Sequence, residues 1–347
     1  MKKIFFGVLL GCILFSACKN NSDKDFASWN ENSEVINILT DYVQKVTDSS
    51  LPDFIPERDR IAVFDMDGTL CGEKSPIYTS WQFYADYIYS NIDSVSSEAV
   101  AVADMITEAA ETGKIPEDLE KRHFLALAEV FAGTPVDDFK KLYENFLKLP
   151  SNDFEDISKG DEFFIPMIEI CKYLQKNGFT IFICSGTDRD IVRVAVKKWI
   201  DIPNRNVIGT DTLLMYENQF EKKIDGLDYK ASIDEKIVRS DKGIIKNVKA
   251  NKVSQLAQEL GQKPVLSFGN SSGDICMNQY AMYGNQYKSL AFMVLADDEV
   301  RENGNSIKAM EDKEKWISYG WNVISMKDDF KTIYGKNAVK KNAGSDS

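Results

Sequence analysis

The sequence predicts an α/β protein built on a doubly wound parallel sheet, with an all-helical domain inserted into it. Over residues 157–335, short apolar runs typical of buried strands alternate with amphipathic helical stretches. Residues 73–156 show helical apolar spacing with no strand-like run between the helices. A strand pattern at residues 61–64 precedes this helical block. The α/β core is therefore expected to comprise residues 59–72 and 157–335, interrupted by the helical domain.

The N-terminus, residues 1–18, is interpreted as an export signal. Two lysines precede an apolar stretch at residues 4–15 that is too short to span a bilayer. The small residues before Cys18 resemble the processing site of bacterial lipoproteins, which implies that Cys18 is lipidated. We therefore expect a protein of the bacterial cell envelope, a periplasmic or outer-membrane lipoprotein that contacts membrane only through this anchor. A signal cleaved elsewhere and an interfacial helix are the alternatives.

Residues 19–58 are predicted to form a polar tether followed by a helix. Residues 19–24 are polar, as a lipid-anchored protein requires. Apolar positions at helical spacing predict an amphipathic helix over residues 34–46. Pro52 and Pro56 then end regular structure before the first core strand.

The remaining elements follow from the apolar pattern. Within the inserted domain the predicted helices cover residues 78–92, 98–112, 116–132 and 135–147. In the core, helices are predicted at residues 163–177, 188–199 and 253–260, strands at 180–184, 206–208, 265–268, 290–295 and 322–325, and a β-hairpin within 211–231. The polar tail, residues 336–347, is expected to be disordered.

Composition excludes several function classes. Asp and Glu number 54 against 42 Lys and Arg, which argues against nonspecific binding of nucleic acid or of anionic membrane. A small phosphorylated substrate remains compatible with this charge. His123 is the single histidine of the chain, so Ser-His-Asp catalysis and most histidine-based zinc sites are excluded. We interpret His123 itself as a structural residue of a helix.

The cysteines beyond the signal form no CxxC pair and no metal-ligand spacing. They are Cys71, Cys171, Cys184 and Cys276. Three of them lie in or beside apolar stretches and are interpreted as small buried hydrophobic residues. A disulfide in the envelope stays open at this stage.

Polar motifs follow the predicted strands, at the edge of a parallel sheet where chemistry gathers. Asp65 and Asp67 come directly after the first strand, where one carboxylate can attack as a nucleophile and the other can move a proton. Ser185 and Gly186 follow the strand at 180–184, where a small hydroxyl and free N–H groups suit a phosphoryl oxygen. Four lysines, at positions 242, 246, 249 and 252, are candidates to neutralise phosphoryl charge.

Together these strings resemble the haloacid dehalogenase superfamily, most of whose members are aspartate-based, Mg²⁺-dependent phosphatases. The motifs are Asp65-Met66-Asp67-Gly68-Thr69, Ser185-Gly186, Lys252 and Gly269-Asn270 with Asp274, in the order and spacing of that family. The helical block resembles its C1-type cap domain. The segments Gly68–Pro76 and Asn270–Asp274 are similar to the corresponding motifs of an exported bacterial branch related to phosphoserine phosphatase.

The resemblance implies roles for individual residues. Asp65 would form an aspartyl-phosphate and Asp67 would shuttle the proton, while Ser185, Gly186 and Lys252 would hold the phosphoryl group. Mg²⁺ would be bound by Asp65, by the backbone carbonyl of Asp67, and by the side chains of Asn270 and Asp274. Asn270 stands where the family usually has an acid, so this site has one carboxylate fewer than the family pattern.

The leading hypothesis is a phosphomonoesterase acting on a small phosphorylated metabolite such as phosphoserine or phosphorylcholine. Glu73 lies close to where phosphoserine phosphatases place a glutamate that binds the substrate amino group. The aromatic side chains of Trp81, Tyr84 and Tyr87 are candidates to hold an ammonium group, or else form the core of the cap.

Two other classes remain open. A phosphonatase would need a cap lysine, for which Lys74 is the candidate, whereas a dehalogenase would not need Asp67. A non-catalytic surface-binding lipoprotein on the same fold is the further alternative, motivated by Asn270.

Overall fold

The computed structural model describes residues 25–73, 77–335 and 338–341. The predicted signal, the anchor at Cys18 and the cap lysine Lys74 lie outside these residues. Among the helices that the structure describes, none has both the length and the apolar character needed to cross a bilayer.

The described chain begins with one helix and one strand, continues through a helical insertion, and then alternates strands with helices. The first part comprises α1 (Glu34–Thr47), β1 (Ile61–Phe64), α2 (Thr79–Ser90), α3 (Ser97–Thr112), α4 (Leu119–Val130), α5 (Val136–Phe146) and β2 (Phe154–Glu155). The second part comprises α6 (Ile165–Lys176), β3 (Thr180–Asp188), α7 (Arg189–Val196), β4 (Val207–Tyr216), α8 (Glu217–Lys222), β5 (Ile237–Ile245), α9 (Ala250–Leu260), β6 (Leu266–Gly269), α10 (Ile275–Met282), β7 (Leu290–Leu295), α11 (Ser306–Ser318), β8 (Asn322–Ser325), α12 (Met326–Asp329) and β9 (Val339–Lys340).

A seven-stranded sheet in the order β5-β4-β3-β1-β6-β7-β8 forms the centre of the molecule. Every neighbouring pair is parallel except β4 and β5, which are antiparallel. β1 lies between β3 and β6, so the first motif emerges at the middle of the sheet. The predicted α/β fold with a doubly wound, mostly parallel sheet is confirmed.

β1 shows why the sheet carries helices on both faces. All four of its residues are buried, as is typical of a parallel strand covered on both sides. Because successive side chains point to opposite faces, Phe64 packs in the cluster that contains α1 and α6, whereas Val63 packs with Leu256 of α9 and Met277 of α10. Phe64 also stacks on Phe268 of β6, with ring centroids 4.2 Å apart.

The helical insertion, α2 to α5, has an aromatic core of its own. Phe83 contacts the rings of Phe131, Phe139, Tyr143 and Phe146. The insertion is joined to the antiparallel edge of the sheet through backbone hydrogen bonds with Arg239 of β5. Gly133 N–H donates to the Arg239 carbonyl at 2.8 Å, and Arg239 N–H donates to the Thr134 carbonyl at 3.0 Å.

The β-hairpin at the edge of the sheet, which contains Arg239, differs from the prediction. The hairpin expected within residues 211–231 is instead formed by β4 and β5, with α8 between them. β5 was not recognised because charged and polar residues interrupt the apolar run expected of a buried strand. Arg239 occupies one of the buried positions, is only 1% exposed and donates to Asp188 Oδ2 at 2.7 Å. β3 likewise extends beyond the predicted end at residue 184, and α10 and α11 were not predicted.

The expectation of a disordered tail is wrong for residues 338–341. β9 pairs with β2 in an antiparallel two-stranded sheet, and Lys341 N–H donates to the Asp153 carbonyl at 2.8 Å. Lys340 Nζ donates to the carbonyl of Glu302 at 2.8 Å. Tertiary pairing orders this segment, which the local sequence does not indicate.

Glu302 is a buried acid beside this tail. Its side chain is 3% exposed and accepts a hydrogen bond from the Tyr334 hydroxyl. Burial raises the pKa of Glu302 to about 7. The folded protein therefore holds a proton on Glu302 more tightly than the unfolded chain does.

Stability should consequently fall as pH rises through the folded pKa of Glu302. Its contribution is complete below the unfolded pKa, so the free energy of unfolding should decrease by roughly 2–3 kcal/mol between about pH 5 and about pH 8 relative to a Glu302→Gln variant. Urea denaturation across this pH range measures the difference. Glu314→Gln, at an exposed position of α11, is the control, and an equal pH slope in the wild type and the Glu302→Gln variant would contradict the assignment.

Candidate active site

Three polar loops meet at the carboxyl ends of β1, β3 and β6, which are adjacent strands of the sheet. The loop after β1 carries Asp65 and Asp67, and Asp65 N–H donates to the Phe268 carbonyl of β6 at 2.9 Å. The end of β3 carries Ser185 to Thr187, and the loop after β6 carries Asn270 to Asp274. The parallel topology thus brings together residues far apart in sequence.

Lys252 joins two of these loops. It lies in the first turn of α9 and is 3% exposed. Its Nζ donates to Asp65 Oδ1 at 2.6 Å and to Asp274 Oδ1 at 2.7 Å. A buried ammonium between two buried carboxylates fixes the position of both acids.

The pKa directions at this bridge follow from burial and charge. Burial and the neighbouring Asp274 raise the pKa of Asp65 well above its usual range, although Lys252 opposes this shift. Burial alone would lower the pKa of Lys252, but Asp274 and Asp65 raise it above its usual range. Lys252 therefore stays protonated at neutral pH and provides a permanent positive charge next to Asp65.

The loop after β6 supplies oxygen ligands. Asp274 Oδ2 accepts hydrogen bonds from the N–H groups of Asn270 and Ser271, at 3.0 and 3.2 Å. Asn270 Oδ1 is buried and has no hydrogen-bond partner among the described residues. The Asn270 amide lies against Gly68, where an added Cβ would be 2.0 Å from Asn270 Nδ2. Gly68 also has a φ of +78°, so glycine is required here for both reasons.

This donor set fits a hard cation. Carboxylate and amide oxygens are the ligands that Mg²⁺ prefers. The orphaned Asn270 Oδ1 is a buried acceptor that a cation would satisfy. Within the described residues, no three His, Cys, Asp or Glu side chains form a metal cluster.

Asp67 is held from the β3 side. Thr187 Oγ1 donates to Asp67 Oδ2 at 2.7 Å, whereas Ser185 Oγ is 3.5 Å from the same oxygen. Ser185 Oγ also accepts from Thr187 N–H at 3.1 Å. Burial raises the pKa of Asp67, an effect that its hydrogen bond with Thr187 opposes. A carboxyl with a raised pKa suits a group that donates a proton.

These side chains form the floor of a cavity of about 230 Å³, which lies between the sheet and the helical insertion. The sequence-predicted residues that line it are Asp65, Asp67, Glu73, Gly186, Lys252, Asn270 and Asp274. Ser185 is fully buried and is not among the lining residues. Trp81 lines the cavity, whereas Tyr84 and Tyr87 pack in the aromatic core of the insertion.

The cavity is also lined by residues outside the predicted catalytic set. Thr187 directly follows the predicted pair Ser185 and Gly186. Lys246 was a candidate cation, and its Nζ donates to the Gly186 carbonyl at 2.8 Å and lies 3.5 Å from Glu120 Oε1. Burial lowers the pKa of Lys246. His123 was interpreted as structural, yet it too lines the cavity.

The four cysteines among the described residues are free and form no disulfide with one another. Cys71, Cys171 and Cys184 are buried, as predicted, and Cys276 is half-buried. Burial raises the pKa of Cys71 well above its usual range, and the negative charge of the neighbouring Asp67 raises it further. A thiol held in the protonated form is a poor nucleophile, so Cys71 is a packing residue.

The family model of haloacid dehalogenase-like hydrolases matches residues 60–281. This match covers more than half of the chain, and the chain therefore belongs to the haloacid dehalogenase-like hydrolases. A search of curated protein sequences finds no match.

Solved structures resemble the chain in fold. A conserved protein of unknown function from Anaerococcus prevotii has a TM-score of 0.50 at 14% identity, covering 86% of this chain and 92% of that one. A protein of unknown function from Bordetella pertussis has a TM-score of 0.48 at 13% identity, with 76% and 97% covered. A phosphoserine phosphohydrolase-like protein from Francisella tularensis has a TM-score of 0.39 at 14% identity, with 76% and 94% covered. The likeness to the Anaerococcus structure supports the fold alone.

Removal of the Lys252 charge should destabilise the fold. A Lys252→Met variant leaves Asp65 and Asp274 buried without their cation, which should lower the free energy of unfolding by about 3–5 kcal/mol. Urea denaturation in EDTA measures this effect without any contribution from bound metal. Lys249→Met, at an exposed position three residues earlier, is the matched control. A Lys252→Met variant as stable as the Lys249→Met protein would show that the bridge does not stabilise the site.

Proposed function

We propose that the protein is a Mg²⁺-dependent phosphomonoesterase that acts on a small phosphorylated metabolite through an aspartyl-phosphate. The observation that carries the proposal is the pair Asp65 and Asp67, the first held by Lys252 and the second by Thr187. Burial raises the pKa of both acids, but the permanent cation beside Asp65 favours its ionised, nucleophilic form, whereas the raised pKa of Asp67 suits a proton donor.

In the first half-reaction an Asp65 carboxylate oxygen attacks phosphorus. The oxygen–phosphorus bond forms while the ester bond to the leaving alcohol breaks. Asp67 donates its proton to the leaving oxygen, so the product leaves as a neutral alcohol. Lys252 offsets the negative charge that spreads over the phosphoryl oxygens.

In the second half-reaction water attacks the aspartyl-phosphate. Asp67, now ionised, removes the proton from this water, and the bond between phosphorus and Asp65 breaks. Inorganic phosphate is released, and both carboxyl groups return to their starting states. The same residue serves as acid and then as base, which requires that Asp67 stay close to the reacting oxygen in both steps.

Mg²⁺ would be held by Asp65, Asp274, the side-chain oxygen of Asn270 and the backbone carbonyl of Asp67. When bound, the metal supplies positive charge that favours ionised Asp65 and shields it from the negative charge of the phosphate. The unpaired Asn270 Oδ1 supports this assignment.

We further propose that the helical insertion is a C1-type cap and that the protein belongs to the exported branch related to phosphoserine phosphatase. The position of the insertion directly after the first motif supports the cap. The residues before Cys18 support lipidation and a place in the cell envelope.

Loss of the nucleophile tests the reaction. An Asp65→Asn variant should release phosphate from p-nitrophenyl phosphate at least about 1000-fold more slowly than the wild type, because an amide oxygen is a much weaker nucleophile than a carboxylate. EDTA should abolish wild-type turnover and added Mg²⁺ should restore it. Phosphate release is measured with purified protein.

An Asp241→Asn variant, at an exposed position of β5, controls for the substitution itself. Wild-type turnover by the Asp65→Asn protein would exclude Asp65 as nucleophile. Wild-type protein that acts on haloacids or phosphonoacetaldehyde, but not on phosphate esters, would indicate a dehalogenase or a phosphonatase. Protein inactive on all of them would indicate the non-catalytic alternative.

Glu73 is the candidate that would recognise the leaving group. Its carboxylate lines the cavity and accepts a hydrogen bond from the Tyr78 hydroxyl at 3.2 Å. Trp81 lines the same cavity. A carboxylate and an aromatic face are the groups that bind an ammonium ion. The site would therefore accept a phosphorylated amine such as phosphoserine or phosphorylcholine.

A Glu73→Gln variant tests the recognition of an amine. Turnover of phosphoserine and phosphorylcholine should fall by about 10-fold or more in kcat/KM, since a charge-assisted contact is lost. Turnover of p-nitrophenyl phosphate should be retained because this ester has no ammonium group. A Glu120→Gln variant changes the other cavity glutamate and should affect the three esters alike. An equal loss on all three esters in the Glu73→Gln protein would refute the role of Glu73.

A further inference from the structure

The roof of the cavity is formed by one face of α4. Glu120, His123, Phe124 and Leu127 all line the cavity. Their spacing of three and four residues places them on the same side of a helix. The polar members of this face are Glu120 and His123, and Lys246 already lies 3.5 Å from the Glu120 carboxylate.

His123 is held rigidly by aromatic neighbours. Its ring lies 5.4 Å from that of Trp81 and 5.1 Å from that of Tyr84, the second in an edge-to-face arrangement. The side chain is 5% exposed. These contacts position the imidazole ring without using its Nε2 atom, which is buried and has no hydrogen-bond partner among the described residues.

A buried polar atom without a partner costs about 1–3 kcal/mol. A purely structural residue at this position needs no polar atom, because its neighbours on α4 facing the same cavity, Phe124 and Leu127, are apolar. Burial, together with the charge of Lys246, lowers the pKa of His123 to about 3, so the ring is neutral at pH 7. A neutral imidazole binds polar uncharged or donor groups rather than acting as an anion-binding cation.

We propose that His123 is a specificity-determining residue whose Nε2 forms a hydrogen bond with a hydroxyl or amine group on the leaving alcohol of the substrate. The inference rests on the proposed phosphomonoesterase function and names the substrate class more narrowly. The floor of the cavity binds the phosphoryl group, and the roof contacts the rest of the molecule. A cavity of about 230 Å³ is below the usual range for drug-sized ligands, so the part of the alcohol that it encloses is small. The preferred substrates are phosphate monoesters of small alcohols that carry a second polar group.

Three esters of nearly equal size test the proposal: propyl phosphate, 2-hydroxyethyl phosphate and 2-aminoethyl phosphate. In a His123→Phe variant, kcat/KM for the hydroxyl and amino esters should fall by about 10-fold or more, whereas that for propyl phosphate should change by less than about 2-fold. A His123→Gln variant, whose terminal amide reaches a position similar to Nε2 and can turn either its oxygen or its nitrogen toward the ester, should recover most of the preference for the polar esters. Leu127→Met, one turn further along α4, should change all three esters by the same factor.

A thermal melt separates recognition from folding. The His123→Phe protein should melt at or above the wild-type temperature, because an unpaired buried nitrogen has been removed. An equal loss on all three esters, or failure of the His123→Gln variant to exceed the His123→Phe variant on the polar esters, would overturn the role of His123. Wild-type protein that hydrolyses none of the esters with Mg²⁺ would overturn the proposed function and this inference with it.

Discussion

The buried bridge from Lys252 to Asp65 and Asp274 is the interaction on which the rest of the site depends. It joins the loop after β1 to the loop after β6 through a helix that packs against the sheet. Two carboxylates this close, removed from water, would repel each other without the cation. The sheet must therefore hold α9 at one distance and one rotation relative to β1 and β6. Val63 of β1 packs with Leu256 of α9 on the face that this helix covers, and the stacking of Phe64 on Phe268 on the opposite face holds β1 beside β6.

The second constraint is the attachment of the roof. Arg239 forms an ion pair with Asp188 at the end of β3. Its backbone forms hydrogen bonds with Gly133 and Thr134, in the loop between α4 and α5. Its guanidinium lies 4.0 Å from the centroid of the Phe139 ring. One buried arginine thus links the sheet, the β4–β5 hairpin and the helical insertion. Because the cavity lies between insertion and sheet, this junction sets the distance between the floor of the cavity and the residues of α4.

Much of the fold and of the floor could be predicted because the signals are local. A buried apolar run followed by Asp65 and Asp67 is contained within a few residues, and strand ends gather such motifs in a parallel sheet. The choice between Ser185 and Thr187 could not be predicted. β3 continues through this string with a register shift between Cys184 and Asp188, and that irregularity decides which hydroxyl contacts Asp67. The order of residues 338–341 depends on pairing with a strand almost 200 residues away, which no local pattern shows.

His123 shows the same limit on α4. Its neighbours Phe124 and Leu127 are apolar at helical spacing, and periodicity alone assigns such a face to a core. Periodicity identifies a face that leaves bulk water, but not whether this face meets packed side chains or a cavity. Asn270 is the complementary case on the floor, since its substitution for an acid was evident in the sequence but its consequence was not. The structure places its side-chain oxygen in a buried position without a partner among the described residues. Its amide lies against Gly68, where any larger residue would collide with it. His123 on the roof and Asn270 on the floor thus each carry one neutral, buried polar atom that has no hydrogen-bond partner among the described residues. In the proposed function, charged residues would hold the phosphoryl group, while Asn270 Oδ1 would be a ligand of the metal and His123 Nε2 would bind a polar group of the alcohol.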